Sequence, residues 1–229
     1  MLSIIIQPMR NALIFDFDGL ILETEGPIYQ SWQELYRSFG QELPLELWLT
    51  QVGTYHSGFD PNVHLEQLLG GPLDWAPAEE KRCRREQALI AQQPILPGVV
   101  SYLEDARRLG LKVGLASSST RAWVVGNLSR LGLADYFDTI RCKEDVPMAK
   151  PDPALFQMAL RDLDLQPEQA IVLEDSYNGL LAAQRAGIFA VAVPTDLTRH
   201  MDLSIADLRL ESLAVTPLED LLRAANGRR

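Results

Sequence analysis

Hydrophobic and polar positions follow two different patterns along this chain. From residue 98 onward, short apolar runs are separated by segments in which apolar residues recur with helical spacing. Four of these runs predict strands, at KVGLASSS (112–119), DTIRC (138–142), AIVLED (170–175) and FAVAVP (189–194). A further run at residues 12–15 predicts the first strand of the chain. Strands that alternate with helices are typical of a doubly wound, Rossmann-like parallel sheet, so we expect an α/β core.

Residues 25–97 have a different pattern. Four successive stretches there have helical spacing, and no β-rich run interrupts them. Glycine and proline residues stand at both ends of this segment, where the chain would leave and rejoin the sheet. We therefore expect an all-helical cap domain at 25–97, inserted into a core domain formed by residues 1–24 and 98–229.

Helix ends in the core segment are marked by small and capping residues. Asp152 precedes an apolar-periodic stretch as a candidate N-cap, with Pro153 at the first helical position. Glycine is expected to end three helices, at Gly110, Gly132 and Gly187. These signals place loops at the edges of the predicted sheet.

Composition and charge narrow the classes of function. The chain has 229 residues, and its 31 acidic and 21 basic residues give a formal net charge of −10. That charge disfavours sequence-independent binding to nucleic acid or to an anionic membrane. No stretch approaches the roughly 18 apolar residues of a membrane-spanning helix, and the first ten residues lack the basic start of a signal peptide. With only two, widely separated cysteines, we expect a reducing, cytoplasmic compartment. We also expect a monomer.

Two aspartates directly follow the first predicted strand, in the sequence DFDG at 16–19. Side chains two apart on an extended chain point the same way, so Asp16 and Asp18 would leave the strand toward one place. Two like charges so close are unfavourable unless a cation joins them. The alternative is a strand that ends in a simple Asp-Gly turn.

Polar residues also follow three other predicted strands: the serines at 117–119, Lys150, and the pair Glu174 and Asp175. Each has an ordinary explanation, as a helix cap, a solvated loop cation or acids at a helix start. However, the carboxyl ends of parallel strands meet at one edge, where α/β proteins bind ligands. Four separate ordinary explanations would all have to hold at the same edge of the sheet, so the pattern favours a functional site.

Together these groups suit phosphoryl transfer. The four carboxylates Asp16, Asp18, Glu174 and Asp175 would form an oxygen-rich pocket of the kind that holds Mg²⁺. Serine hydroxyls at a helix start bind anions, and Lys150 adds a positive charge. A carboxylate can act as the nucleophile through an aspartyl-phosphate intermediate.

Four motifs, DFDG (16–19), LASSS (115–119), KPDP (150–153) and LEDSYNG (173–179), resemble those of the haloacid dehalogenase-like hydrolases. This superfamily contains Mg²⁺-dependent phosphatases and phosphomutases. The resemblance implies that Asp16 is the nucleophile and Asp18 the general acid/base, whose backbone carbonyl also binds the metal. It implies that the phosphoryl group is bound by Ser117, Ser118 and Lys150. The expected metal ligands are Asp16, Asp18, Glu174 and Asp175.

The substrate implied is a small phosphorylated metabolite of the phosphosugar kind. Candidate contacts in the cap segment are Tyr55 and His56 in a turn-rich loop, and Arg82 and Arg85 on one helix face. The alternative is that His56 is an ordinary polar loop residue and that the basic helix face is simply solvated. A phosphatase is the first hypothesis, and a β-phosphoglucomutase-like mutase is the second. Ile28 stands where the family's mutases have a histidine, which favours the phosphatase.

A non-enzymatic phospho-receiver is a third, more remote hypothesis, since receivers also gather acids, a hydroxyl and a lysine around Mg²⁺. Chain order argues against it. Asp16 lies on the first strand, the acidic pair Glu174 and Asp175 comes much later, and a helical segment intervenes.

Overall fold

The computed structural model describes residues 10–50, 52 and 59–227. Within them, six strands form one sheet, in which every neighbouring pair is parallel. The strands are β1 (Ala12–Phe15), β2 (Lys112–Ala116), β3 (Thr139–Arg141), β4 (Ala170–Glu174), β5 (Phe189–Ala192) and β6 (Leu208–Arg209). Their spatial order is β3-β2-β1-β4-β5-β6. The first strand therefore lies between β2 and β4, inside the sheet.

The strands expected from the apolar runs are confirmed, although several end earlier than their runs. β2 stops at Ala116 because the following serines turn away from the sheet and lead into a helix. β6 was not expected: its two residues are too few for an alternating pattern to be visible.

Helices cover both faces of the sheet and fill the segment between β1 and β2. In the described residues the α-helices are α1 (Glu25–Ser38), α2 (Leu45–Leu49), α3 (Pro61–Leu69), α4 (Trp75–Ala91), α5 (Val99–Leu109), α6 (Arg121–Leu131), α7 (Ala154–Leu163), α8 (Tyr177–Arg185) and α9 (Leu218–Asn226). We call α1–α4 the cap helices. The expectation of helical structure there is confirmed, whereas the domain boundaries at 24/25 and 97/98 stay a prediction.

Alternate side chains of β1 pack on opposite faces of the sheet. Leu13 and Phe15 belong to a buried cluster with side chains from α5, α6 and α9. Ala12 and Ile14 belong to a second cluster with side chains from α7 and α8. Because both faces are apolar and covered, the fold is the doubly wound α/β type that the sequence predicts.

The cap helices have an aromatic core of their own. Trp32 lies at its centre, with ring centroids 6.4 Å from both Trp48 and Trp75 and 6.5 Å from Tyr36. Tyr36 is fully buried and its hydroxyl donates to the Pro61 carbonyl at 2.6 Å. These contacts join α1, α2, α3 and α4 into one packed unit.

The start of α7 differs from the prediction by one residue. Pro153 occupies the N-cap position and the helix begins at Ala154, whose N–H donates to the Asp152 carboxylate at 2.9 Å. Asp152 thus satisfies a free backbone donor of the helix from one position earlier. The glycines expected at helix ends follow α5, α6 and α8: Gly110, Gly132 and Gly187.

Some expectations fall on other parts of the chain. The amino-terminal residues 1–9 and the loop at 53–58, which holds Tyr55 and His56, lie outside the described residues. Among the described helices, none is both long and apolar enough to cross a membrane. The two cysteines, Cys83 and Cys142, are free thiols.

Candidate active site

A buried lysine joins the ends of two neighbouring strands. Lys150 Nζ donates to Glu174 Oε1 at 2.7 Å and to Asp16 Oδ1. Asp16 follows β1, and its N–H continues the sheet by donating to the Leu173 carbonyl at 3.0 Å. All three side chains are buried, Lys150 with 3% exposure. The order of the strands explains why Asp16 and Glu174 lie close together, because β1 and β4 are neighbours.

Glu174 uses both of its oxygens. While Oε1 accepts from Lys150, Oε2 accepts three hydrogen bonds of 3.0 Å, from the N–H groups of Asp175 and Ser176 and from the Ser176 hydroxyl. These bonds fix the turn between β4 and α8. Glu174 therefore holds both Lys150 and the backbone that carries Asp175.

Asp175 offers an oxygen that the described residues leave without a partner. Its Oδ2 is buried and has no hydrogen-bonding atom within reach among them. Carboxylate oxygens of Asp16, Glu174 and Asp175 lie within 4.8 Å of one another. A Cβ at Gly19 would lie 2.1 Å from Asp175 Oδ2, so only glycine fits there. A buried, unpartnered carboxylate oxygen in such a group fits a hard cation such as Mg²⁺.

The electrostatics of the group also favour a cation. Burial raises the pKa of Asp16 to about 8, an effect that Lys150 opposes and the charges of Glu174 and Asp18 reinforce. Burial, followed by the charges of Glu174 and Asp16, raises the pKa of Asp175 well above its usual value. One lysine cannot balance three buried carboxylates, so an added cation would stabilise their ionised forms.

The Asp18 side chain points elsewhere. Its Oδ2 accepts from the Ser119 hydroxyl at 2.6 Å and its Oδ1 accepts from the indole N–H of Trp123 at 2.9 Å. The Asp18 carboxylate therefore lies outside the group formed by Asp16, Glu174 and Asp175, and a role for Asp18 as a metal ligand stays a prediction. Its backbone carbonyl is the atom that the resemblance assigns to the metal.

The serines lie where β2 leads into α6. Ser117 is buried and its hydroxyl accepts from the Ser119 N–H at 3.0 Å. The Ser118 hydroxyl is buried and has no hydrogen-bond partner among the described residues. Thr120 caps α6 by accepting from the Trp123 N–H at 3.4 Å. The unpartnered Ser118 hydroxyl, close to a helix start and in the same cavity as Lys150, suits a bound phosphoryl group.

These groups line one cavity of about 470 Å³. Its described lining comprises Asp16, Asp18, Glu25, Ile28, Glu86, Ser117, Ser118, Ser119, Thr120, Trp123, Lys143, Lys150, Glu174, Asp175 and Ser176. A larger cavity of about 810 Å³, between α2 and the loop after β3, shares only Lys143 and Lys150 with it. We assign the site to the smaller cavity because it holds the carboxylates.

Among the lining residues that sequence reasoning missed, three lie on α-helices: Glu25, Glu86 and Trp123. Desolvation, helped by the charge of Asp18, raises the pKa of Glu25 to about 8. All three belong to helices, so they could not be found by looking for polar residues that follow the carboxyl ends of strands. Glu25, seven residues after Asp18, had the best available signal, an acid in the first turn of a helix that adjoins the DFDG motif.

The two cap arginines do not reach this cavity. Arg82 is buried within the cap helices, where it donates to Glu79 at 2.6 Å and also to Glu86. Arg85 binds Glu34 through two hydrogen bonds of 2.7 and 2.9 Å. Both guanidinium groups bind acids of the cap helices, and neither residue belongs to the described lining of the cavity, so the packing gives no support to a role as substrate contacts.

Comparison with known proteins agrees with the geometry. YhcW of Bacillus subtilis (strain 168) is 42% identical over 219 residues, covering 96% of this chain and 99% of that protein. Hexitol phosphatase B of Escherichia coli (strain K12) is 29% identical over 215 residues, covering 92% and 96%. A solved β-phosphoglucomutase from Clostridium difficile superposes with a TM-score of 0.74 at 26% identity, covering 96% of this chain and 98% of that one.

A parallel α/β sheet with this strand-end site and these relatives defines a phosphoric monoester hydrolase. Residues 13–193 match the family described as haloacid dehalogenase-like hydrolase. The chain belongs to that family, and the resemblance seen in its four motifs is confirmed.

Proposed function

We propose that this protein is a Mg²⁺-dependent phosphatase that hydrolyses a small phosphorylated sugar or polyol through an aspartyl phosphate on Asp16. One observation carries the proposal: Lys150 bridges Asp16 and Glu174 in the cavity that also holds Ser117 and the start of α6. A nucleophile, an anion-binding helix start and a carboxylate group for a cation then surround one space, as phosphoryl transfer requires.

The chemistry follows from the residues. An Asp16 carboxylate oxygen attacks phosphorus while the bond from phosphorus to the ester oxygen breaks, and Asp18 gives that oxygen its proton. Water then attacks the aspartyl phosphate, Asp18 takes the proton, and Asp16 is released. Ser117 and Lys150 bind the phosphoryl oxygens throughout. Asp16 and Asp175 would hold Mg²⁺, which would supply positive charge beside the phosphoryl oxygens.

The cap helices support a substrate rich in hydroxyl groups. Glu25 and Glu86 line the cavity, and carboxylate oxygens accept hydrogen bonds from sugar or polyol hydroxyls. The relative from Escherichia coli is named as a phosphatase of hexitols. Ile28 also lines the cavity and offers no group for proton transfer.

A phosphosugar mutase is the second candidate, favoured by the structural likeness to a β-phosphoglucomutase. A mutase must return its phosphoryl group to a sugar hydroxyl instead of water. Ile28 stands where the family's mutases have a histidine, and the described lining of the cavity contains no histidine. We therefore place water as the ordinary acceptor.

The test follows inorganic phosphate released from a panel of hexose and hexitol monophosphates, with Mg²⁺ and after exhaustive chelation. We expect Mg²⁺-dependent turnover that Asp16→Asn abolishes. A parallel incubation with β-glucose 1-phosphate and a trace of glucose 1,6-bisphosphate separates the two candidates. Rapid formation of glucose 6-phosphate with little free phosphate would refute the phosphatase.

A further inference from the structure

Two donors hold the Asp18 carboxylate, one on each oxygen. The Ser119 hydroxyl binds Oδ2 at 2.6 Å and the Trp123 indole N–H binds Oδ1 at 2.9 Å. The torsion that turns a carboxylate about its Cβ–Cγ bond is soft. Donors on both oxygens restrict this rotation, which a single donor would leave largely free.

Trp123 is itself firmly placed. It lies in the first turn of α6, its backbone N–H donates to the Thr120 hydroxyl, and its ring packs against the buried cluster on that face of the sheet. An indole N–H can donate but cannot accept. Trp123 therefore presents a fixed donor to Asp18, whereas the Ser119 hydroxyl can rotate.

We infer that Trp123, together with Ser119, is a positioning residue that orients Asp18 for proton transfer to the leaving ester oxygen. The inference rests on the proposed function, in which the bond from phosphorus to that oxygen breaks as the Asp18 proton moves to it. In the second half-reaction the proton of the attacking water returns to Asp18. A misplaced carboxylate would weaken both transfers without removing the nucleophile.

The leaving group of the substrate distinguishes a loss of Asp18 orientation from a general loss of activity. An alkoxide leaves only with a proton, whereas p-nitrophenolate is stable enough to leave without one. kcat/KM reports the steps up to the first bond cleavage, so the contribution of Asp18 is large for alkyl phosphates and small for p-nitrophenyl phosphate. General acid catalysis accelerates a reaction about 10²–10⁴-fold. Loss of one of the two donors that orient Asp18 should lower this acceleration about tenfold.

The experiment compares Trp123→Phe, which keeps the aromatic body and removes the N–H, with Trp75→Phe. Trp75 makes the same kind of bond, to Glu66 at 2.8 Å, but within the cap helices. For each protein, kcat/KM is measured with sorbitol 6-phosphate and with p-nitrophenyl phosphate. We expect Trp123→Phe to lower the alkyl-to-aryl ratio about tenfold and Trp75→Phe to leave it unchanged. Ser119→Ala should also lower the ratio, and Ser119→Thr should restore it.

Equal losses on both substrates in Trp123→Phe, or no loss on either, would overturn the inference. A second readout needs no turnover. The chain has four tryptophans, and the indole N–H resonance of Trp123 is the one that disappears in Trp123→Phe. In Asp18→Ala this resonance should shift more than the other three, and an unmoved resonance would refute the contact. Absence of hydrolysis by the wild-type protein would instead refute the proposed function.

Discussion

Replacing Asp16 by asparagine should weaken the pH dependence of the stability of the metal-free protein. The pKa of the Asp16 carboxyl is about 8 in the folded protein, against an ordinary value of 3.8. As pH rises from about 4 to 8, the unfolded chain releases this proton while the folded protein keeps it. Because the folded-state pKa is raised, Asp16 reduces stability progressively with rising pH. Asparagine cannot ionise, so the variant lacks this contribution.

The size of the effect follows from the same values. Between pH 6 and pH 8 the unfolded carboxyl is ionised throughout, and the folded one reaches only half-ionisation at the upper end. The contribution of Asp16 to the free energy of unfolding therefore falls by about 2 kcal/mol over this range. For a chain of this length, that change lowers the melting temperature by roughly 4–9 °C.

The assay is thermal unfolding with a chelator at pH 6, 7 and 8. Between pH 6 and 8, the melting temperature of the wild type should fall several degrees more than that of Asp16→Asn. The control is Asp135→Asn, the same change at an exposed position, which should behave like the wild type. Mg²⁺ should raise the wild-type melting temperature most at pH 8, because a cation favours the ionised carboxylates. Parallel pH profiles for the wild type and Asp16→Asn would refute the reasoning.

Two further predictions concern the site and the cap helices. Gly19→Ala should raise the Mg²⁺ concentration for half-maximal activity at least about tenfold, since its Cβ would lie 2.1 Å from Asp175 Oδ2. Gly40→Ala, with a similar positive φ but open space around its Cβ, should leave that concentration unchanged, and equal shifts would count against the close approach. Arg82→Met should lower the urea-measured free energy of unfolding by about 3 kcal/mol because its glutamate partners lose a buried cation. Arg85→Ala, at the exposed pair with Glu34, should lower the free energy of unfolding by less than about 1 kcal/mol. A larger loss in Arg85→Ala than in Arg82→Met would contradict the buried position of Arg82.

The sheet and the residues at its edge were predictable because two strong rules act there. Buried parallel strands require continuous apolar runs, such as ALIF at 12–15, and the carboxyl ends of such strands meet at one edge. Asp16, Glu174 and Asp175 are brought together by this backbone geometry because β1 and β4 are neighbours, and Lys150 reaches them from the loop after β3. Their convergence needed no knowledge of side-chain conformations.

Side-chain directions and cap packing could not be predicted in the same way. The spacing of Arg82 and Arg85 puts them on one helix face, but only tertiary packing decides whether that face meets the cavity or other cap helices. Arg82 turns inward and stacks on the Trp32 ring at 4.5 Å. Likewise, the pattern that places Asp18 beside Asp16 does not reveal that a residue more than a hundred positions later, Trp123, binds its carboxylate.

The position of β1 inside the sheet separates two kinds of binding. The loop after β2, on one side, carries serine hydroxyls that suit an anion, and the loop after β4, on the other, carries the carboxylates that suit a cation. Asp16 lies on the strand between them. Substitutions in one loop therefore leave the backbone of the other in place, but Lys150, which binds both Asp16 and Glu174, couples affinity for the phosphoryl group to affinity for the metal.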